Sequence, residues 1–283
     1  MGKRVLAAVA ALGLGTVGAL AADLPARRAP PAYAPAPVFV WSGCYFGGLT
    51  GYAFSDRQTV RTTGTTPGGA AAIAAGIRPA GQSVPHDGLT SIGGGLGCDY
   101  QFNPGNGIVA GIAADGTWMD LVRRRSSIGP GPAFADSNFR QSFDTLGTVR
   151  GRIGYAFDRF LVYGTGGFAF GNVEYRSTFF AGARNASPVV AAGVFDGIET
   201  GYVYGGGVEY AIPTDSFLSN FNLLKYVGIT TDAVTVKVEY LRYDLGSRTV
   251  AVSPTVAGAP GFASRFTTEG SLVRGGFAYR FGL

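Results

Sequence analysis

The chain predicts an all-β fold, an eight-stranded antiparallel up-and-down transmembrane β-barrel with long extracellular loops. Three observations carry that expectation. Charged residues make up 14% of the chain and hydrophobic ones 46%; an average soluble domain has roughly 25% charged, so too few ions exist here to coat a water-facing surface. Beyond the first 22 residues no apolar run reaches the ~18 residues that a membrane helix needs. Segments of period-two alternation recur, joined by connections that alternate between short and long. The hydrophobic content excludes disorder, and the 46 glycines follow no collagen triplet.

The elements follow in order. Lys3 and Arg4 precede an Ala/Leu/Val/Gly-rich run from Val5 to Ala22, and Ala19-Leu20-Ala21 has the small-x-small form of a cleavage site. Residues 1–21 therefore read as a secretory signal peptide, and no Cys follows to invite lipoprotein processing. The net charge of +5 falls to +3 when Lys3 and Arg4 leave with the leader. With its basic residues scattered, an exported chain of that charge has no nucleic-acid partner. Residues 22–40 hold five prolines among Ala and Arg, an extended periplasmic linker. The barrel is expected over 41–283.

Cys44 to Phe54 opens it. Thr90 to Phe102 sets Ile92, Leu96, Cys98, Tyr100 and Phe102 against Ser91, Gly93, Gly95, Gly97, Asp99 and Gln101. Asn103-Pro104-Gly105-Asn106-Gly107 is a turn. Ile108 to Trp118 and Thr145 to Phe157 alternate again, and Asp158-Arg159 turns the chain into Phe160 to Tyr175, whose faces are ambiguous. Tyr202 to Tyr210, Val234 to Tyr240 and Val273 to Phe281 complete eight strands. Long connections at 56–88, 120–143, 176–199 and 245–266 lie on one end; the connection at 211–232 is long on the turn side. Tyr100, Phe102, Tyr155, Phe157, Tyr210, Tyr279 and Phe281 are expected in the periplasmic aromatic girdle, with Trp118, Tyr202 and Tyr204 in the outer one.

The opposite faces carry the candidate lumenal charges: Arg150, Arg152, Arg274, Arg280 and Lys237 against Asp99, Asp115, Glu209 and Glu239. Asp115 with Arg150, and Glu239 with Arg274, share a height on adjacent strands. Eight strands leave room for side chains or one small ligand. Two readings stand: the charges pair and plug the interior, or they select ions in a small pore. Cys44 and Cys98 meet near the periplasmic rim if their strands pair, so a cross-strand disulfide is expected in an exported chain; two separate lipid-facing thiols are the alternative. Arg123, Arg124 and Arg125 offer a contact for an anionic surface such as lipopolysaccharide phosphates, or simply a solvated basic loop.

Several stretches resemble a known family. Trp41-Ser-Gly-Cys-Tyr-Phe-Gly-Gly after a Pro/Ala linker is similar to the opening strand of small outer-membrane barrels of alpha-class proteobacteria. These are the porin-family or outer-membrane immunogenic proteins, within the OmpA-like β-barrel group. Thr148-Val-Arg-Gly-Arg-Ile-Gly-Tyr-Ala-Phe-Asp-Arg and Val162-Tyr-Gly-Thr-Gly-Gly-Phe-Ala resemble the central hairpin. Gly206-Gly-Val-Glu-Tyr-Ala, Val238-Glu-Tyr-Leu-Arg-Tyr-Asp-Leu-Gly and Val273-Arg-Gly-Gly-Phe-Ala-Tyr-Arg-Phe resemble later strands. The resemblance implies an envelope barrel that contacts the outside, with no catalytic site. Its partners would be outer-membrane lipid including lipopolysaccharide, the outer-membrane assembly machinery, and a host or surface ligand at the loops. Two departures stand out: Gly282 and Leu283 follow the final aromatic, and 211–232 is longer than the pattern. A narrow porin-like channel is the alternative. A barrel lipid hydrolase is the remote one, resting on the single histidine, His86, near Ser83, Asp87 and Ser91. No cofactor and no metal site are expected.

Overall fold

The computed structural model describes residues 38–54, 58–84, 89–127, 135–182, 187–213 and 233–282. Residues 1–37, which hold the expected leader and most of the expected linker, His86 and residues 214–232 lie outside the described residues. From Val38 onward the chain is one compact unit. Its elements are β1 (Gly43–Phe54), β2 (Gln58–Gly64), α1 (Pro67–Ala74), β3 (Gly81–Val84), β4 (Leu89–Gln101), β5 (Asn106–Ser127), β6 (Ser137–Phe157), β7 (Phe160–Phe180), β8 (Val189–Ile212), β9 (Ala233–Pro254) and β10 (Phe262–Phe281).

Eight of these strands pair antiparallel in the order β1-β4-β5-β6-β7-β8-β9-β10, and β10 pairs back onto β1, so the ring closes. Closure removes the open edges that hydrocarbon would leave unsatisfied. The tight turns at one end match expectation: Gly105 takes φ +83° and Asp158 φ +50°, both left-handed, as compact hairpin loops require. The expected eight-strand ring therefore stands, with β2 and β3 added to it.

Three of the four long connections are corrected. Residues 120–143, 176–199 and 245–266 are mostly strand: β5 and β6, β7 and β8, and β9 and β10 run on as tall hairpins. A strand of ~22 residues tilted ~40° rises roughly 50–55 Å, about twice the ~25 Å apolar band. The outer half of each hairpin therefore stands clear of the membrane. The first connection is also folded: β2 pairs with β10 at Phe262–Arg265, β3 pairs with β2, and α1 lies between them in the chain. Thr66 caps α1, its Oγ1 accepting from Gly69 N at 3.2 Å and Gly261 N at 3.1 Å.

The side-chain pattern inverts along the barrel axis. In the lower half the outward positions are apolar, among them Leu96, Tyr100, Ile112, Ile153, Phe157, Phe168 and Val238, all exposed to the lipid side. Above Trp118 the apolar side chains point inward instead: Phe139, Phe143, Val173, Tyr175, Phe179, Val250, Phe262 and Phe266 form one buried core. Water replaces lipid as the outer solvent there, so the hydrophobic effect drives the same residue types to the other face. The faces of Phe160–Tyr175 are ambiguous because both are apolar: β7 buries Leu161, Tyr163, Val173 and Tyr175 inside while exposing Val162, Phe168 and Phe170 outside.

Candidate functional site

All nine candidate lumenal charges lie inside the barrel, and eight of them assemble into two closed rings. In the outer ring Arg150 pairs with Asp115 at 2.6 Å and with Glu239 at 2.7 Å. Arg274 completes it, 2.5 Å from Asp115 and 2.7 Å from Glu239. In the inner, periplasmic-side ring Arg152 pairs with Asp99 at 2.9 Å and Glu209 at 3.1 Å, and Arg280 with Asp99 at 2.7 Å and Glu209 at 3.2 Å. Each ring alternates two cations with two anions and is neutral. Their side chains are at most 5% exposed, so both rings are buried within the barrel.

The rings are built from period-two positions on β4, β5, β6, β8, β9 and β10, where every second side chain faces the lumen. Hydroxyls complete them: Thr148 Oγ1 donates to Asp115 Oδ2 at 2.8 Å, Thr235 Oγ1 to Glu209 Oε1 at 2.7 Å, and Tyr163 OH to Glu239 Oε1 at 3.3 Å. Arg152 is sandwiched between the Tyr45 and Tyr163 rings at 5.2 and 4.5 Å, a stacking that suits a flat guanidinium. Gly97 and Gly207 make room for those tyrosines, since a Cβ at either would stand 2.5 and 2.9 Å from the Tyr45 and Tyr163 hydroxyls. Lys237 joins neither ring, its Nζ lying 5.5 Å from the Tyr45 ring. Rings of this kind add little net stability because desolvation offsets attraction, but losing one member strands a buried charge at a cost of about 3–5 kcal/mol.

Trp41 closes the periplasmic end. It is fully buried, its Nε1 donates to Asp158 O at 2.8 Å, and its backbone N donates to Gln101 Oε1 at 2.7 Å. The Arg280 guanidinium stacks on its ring at 4.6 Å and donates to its carbonyl at 3.0 Å. Phe39 meets Trp41 edge-on at 5.1 Å, so the end of the segment read as linker is docked on the barrel floor. At the other end the buried aromatic core fills the lumen, and α1 lays Ala72 and Ile73 against it. Arg78 fastens this cap by donating to the carbonyls of Ala135 (3.2 Å), Asp136 (2.6 Å) and Phe180, while stacking on Phe179 and Phe262. Burial pushes the Arg78 guanidinium down to about 10, which still leaves it charged at neutral pH.

Other expected residues fall as follows. Cys44 lies directly opposite Cys98 in the β1–β4 ladder, with the sulfurs joined. Arg123, Arg124 and Arg125 are not in a loop but in β5, paired with Gln141, Arg140 and Phe139. The reason is that β5 continues past the membrane once its inner face has Met119 and its neighbours to bury. Tyr100, Phe102, Tyr155, Phe157 and Tyr210 are exposed as a girdle requires, but Tyr279 is 6% exposed, packed with Ile212, Val234 and Phe281. Trp41, Tyr45, Tyr163 and Arg78 were not singled out. Trp41 and Tyr45 sat in the opening motif, and Tyr163 alternates in step with the lumenal positions of its strand. Among the described residues no cluster of His, Cys, Asp and Glu has the makings of a metal site.

The family model described as the outer membrane protein beta-barrel domain matches residues 7–281. The 31 kDa outer-membrane immunogenic proteins of Brucella melitensis and Brucella suis are each 30% identical over 256 residues, covering 86% of this chain and 87% of the relative. Among solved structures, the outer membrane protein OprG from Pseudomonas aeruginosa is similar at 13% identity and a TM-score of 0.49, covering 87% of this chain and 99% of that one.

Proposed function

The chain belongs to the outer membrane protein beta-barrel domain family and resides in the outer membrane, and on that premise we propose that it acts as a sealed barrel. In this reading it is a structural element of the envelope whose contacts with the outside are made by folded extracellular hairpins, without catalysis and without a through-going pore. The observation that carries it is the pair of closed ionic rings. Each spans the lumen, so a solute would have to part four buried ion pairs twice, with Trp41 on one side and the aromatic core on the other. At about 3–5 kcal/mol for each charge left unpaired, that barrier disfavours conduction. The same proposal takes residues 1–21 as the export leader and residues 22–40 as the periplasmic linker.

The test is conductance of the refolded barrel across a planar bilayer. Silence from a barrel that inserts is expected. Discrete, reproducible steps absent from denatured and detergent-only controls would overturn the sealed reading and make the alternative, a narrow porin-like channel, the better account. Incubating the inserted barrel with phospholipid checks the hydrolase alternative, and no fatty-acid release is expected.

A further inference from the structure

Resting on the outer-membrane placement alone, we infer that the outer wall of β5–β7 binds a phosphorylated, acylated lipid of the outer leaflet, with Arg124 and Arg140 holding its phosphate. Arg124 lies directly opposite Arg140, and Arg140 directly opposite Arg176, so three arginines occupy one rung across three adjacent strands. Directly opposed residues share a face with Cβ atoms about 5 Å apart, and like charges so placed repel. The face is the outer one, because the flanking Phe139, Gln141, Tyr175 and Ser177 are buried inward. Arg176 has an internal counterion, Glu174 at 3.0 Å. Among the described residues, Arg124 and Arg140 have no ion pair, and the buried Nε of Arg140 has no hydrogen-bond partner.

A groove with both apolar and polar walls lies beneath this rung. The β4–β5 ladder ends at the Ile92–Trp118 pair, and β5 slips register between Trp118 and Leu121. At these breaks lies a groove lined by the apolar Ile92, Trp118 and Val122 and by the polar Arg140, Asp144 and Glu174. Trp118, 65% exposed, marks the level where hydrocarbon meets headgroups. Arg124 stands one outward rung above Val122, about 7 Å farther out. A ligand that fits has acyl chain below and phosphate above. Glu174 is engaged by Arg176, and Asp144 accepts from Ser142 Oγ at 2.8 Å without an ion pair to Arg124 or Arg140 among the described residues, so three arginines against two acids leave the patch net positive.

The experiment uses protein extracted from outer membranes, delipidated and placed in phosphatidylcholine nanodiscs with bisphosphorylated or dephosphorylated lipid A, with retained lipid counted by native mass spectrometry. Arg124→Gln/Arg140→Gln is compared with wild type and with Arg248→Gln/Arg265→Gln, which removes two positive charges from the β9–β10 hairpin. Heat-modifiability on gels establishes that each variant is folded. Wild type and the control variant should retain bisphosphorylated lipid A. The dephosphorylated lipid, or the Arg124/Arg140 variant, should retain about tenfold less, the loss of one to two charge-assisted hydrogen bonds. Equal retention by the variant, equal retention of both lipids, or displacement by inorganic phosphate over the same concentration range would each overturn the inference. An inserted wild-type barrel that retains neither lipid sinks this site alone, whereas failure to insert would strike the outer-membrane placement as well.

Discussion

Arg274 Nη1 lies 2.5 Å from Asp115 Oδ1, although their strands, β10 and β5, are separated around the ring by β1 and β4. This pair spans the lumen, and with Arg150 and Glu239 it ties together four strands that backbone ladders join only in neighbouring pairs. The inner ring does the same for β4, β6, β8 and β10. A barrel wall held by ladders is thus braced across its interior at two heights.

The outer ring should respond to charge balance more than to the number of bonds. Arg274→Met or Glu239→Gln alone strands a buried charge and is expected to cost about 3–5 kcal/mol. Removing both leaves Arg150 and Asp115 as a neutral pair, so the double variant should be more stable than the sum of the single losses. Urea unfolding in lipid vesicles, followed by tryptophan fluorescence, measures the cycle. Strictly additive losses would show that the four residues do not act as a ring.

Trp41 should behave as a floor plug. Trp41→Ala empties a fully buried site and is expected to cost about 3–5 kcal/mol. Trp41→Phe keeps a ring for Arg280 to stack on and loses the bond to Asp158 O, about 1 kcal/mol. Thermal midpoints from heat-modifiability gels rank the two; equal midpoints would mean that the ring volume contributes nothing.

Arg78 holds the cap and not the wall. Arg78→Ala removes donors to Ala135, Asp136 and Phe180 but touches no ladder of the eight-strand ring. Limited proteolysis from the outside should cut within residues 56–88 several-fold faster, with the heat-modified midpoint of the barrel nearly unchanged. A barrel midpoint that falls as far as protection does would place Arg78 in the fold's main stability instead.

The Cys44–Cys98 bond closes a 54-residue separation. Replacing both with Ser should cost about 2–4 kcal/mol, chiefly by freeing the unfolded chain. Folding should survive, because ladders on both sides of β1 hold the same register. Alkylation of the unreduced protein should add no mass; an added label would show free thiols.

Much of the lower barrel was legible because alternation is local. On β4 and β5 a single face is apolar, so Leu96, Tyr100, Ile108 and Ile112 announce the lipid side and Asp99 and Asp115 the lumen. The tall hairpins were not legible. Phe139, Phe143, Val173 and Tyr175 alternate as well as any membrane segment, but period two states only that two faces differ, never which solvent each meets. Expected within the long connection 120–143 or at the ambiguous end of Phe160–Tyr175, these residues form the inner face of tall hairpins instead. Tyr279 failed for a related reason, since an outward position was equated with an exposed one.

The amino-acid sequence by itself determined the strand count of the ring, the turn positions, and which charges face inward, because each depends on neighbours two or a few residues apart. Only the tertiary structure decided that Arg150 meets Glu239, that Arg280 meets Trp41, and that Arg124, Arg140 and Arg176 share one rung. Those contacts depend on closure and register, which set the distances between residues as much as 239 positions apart. No local pattern encodes a distance across the lumen; it follows once eight strands have paired and the last has found the first.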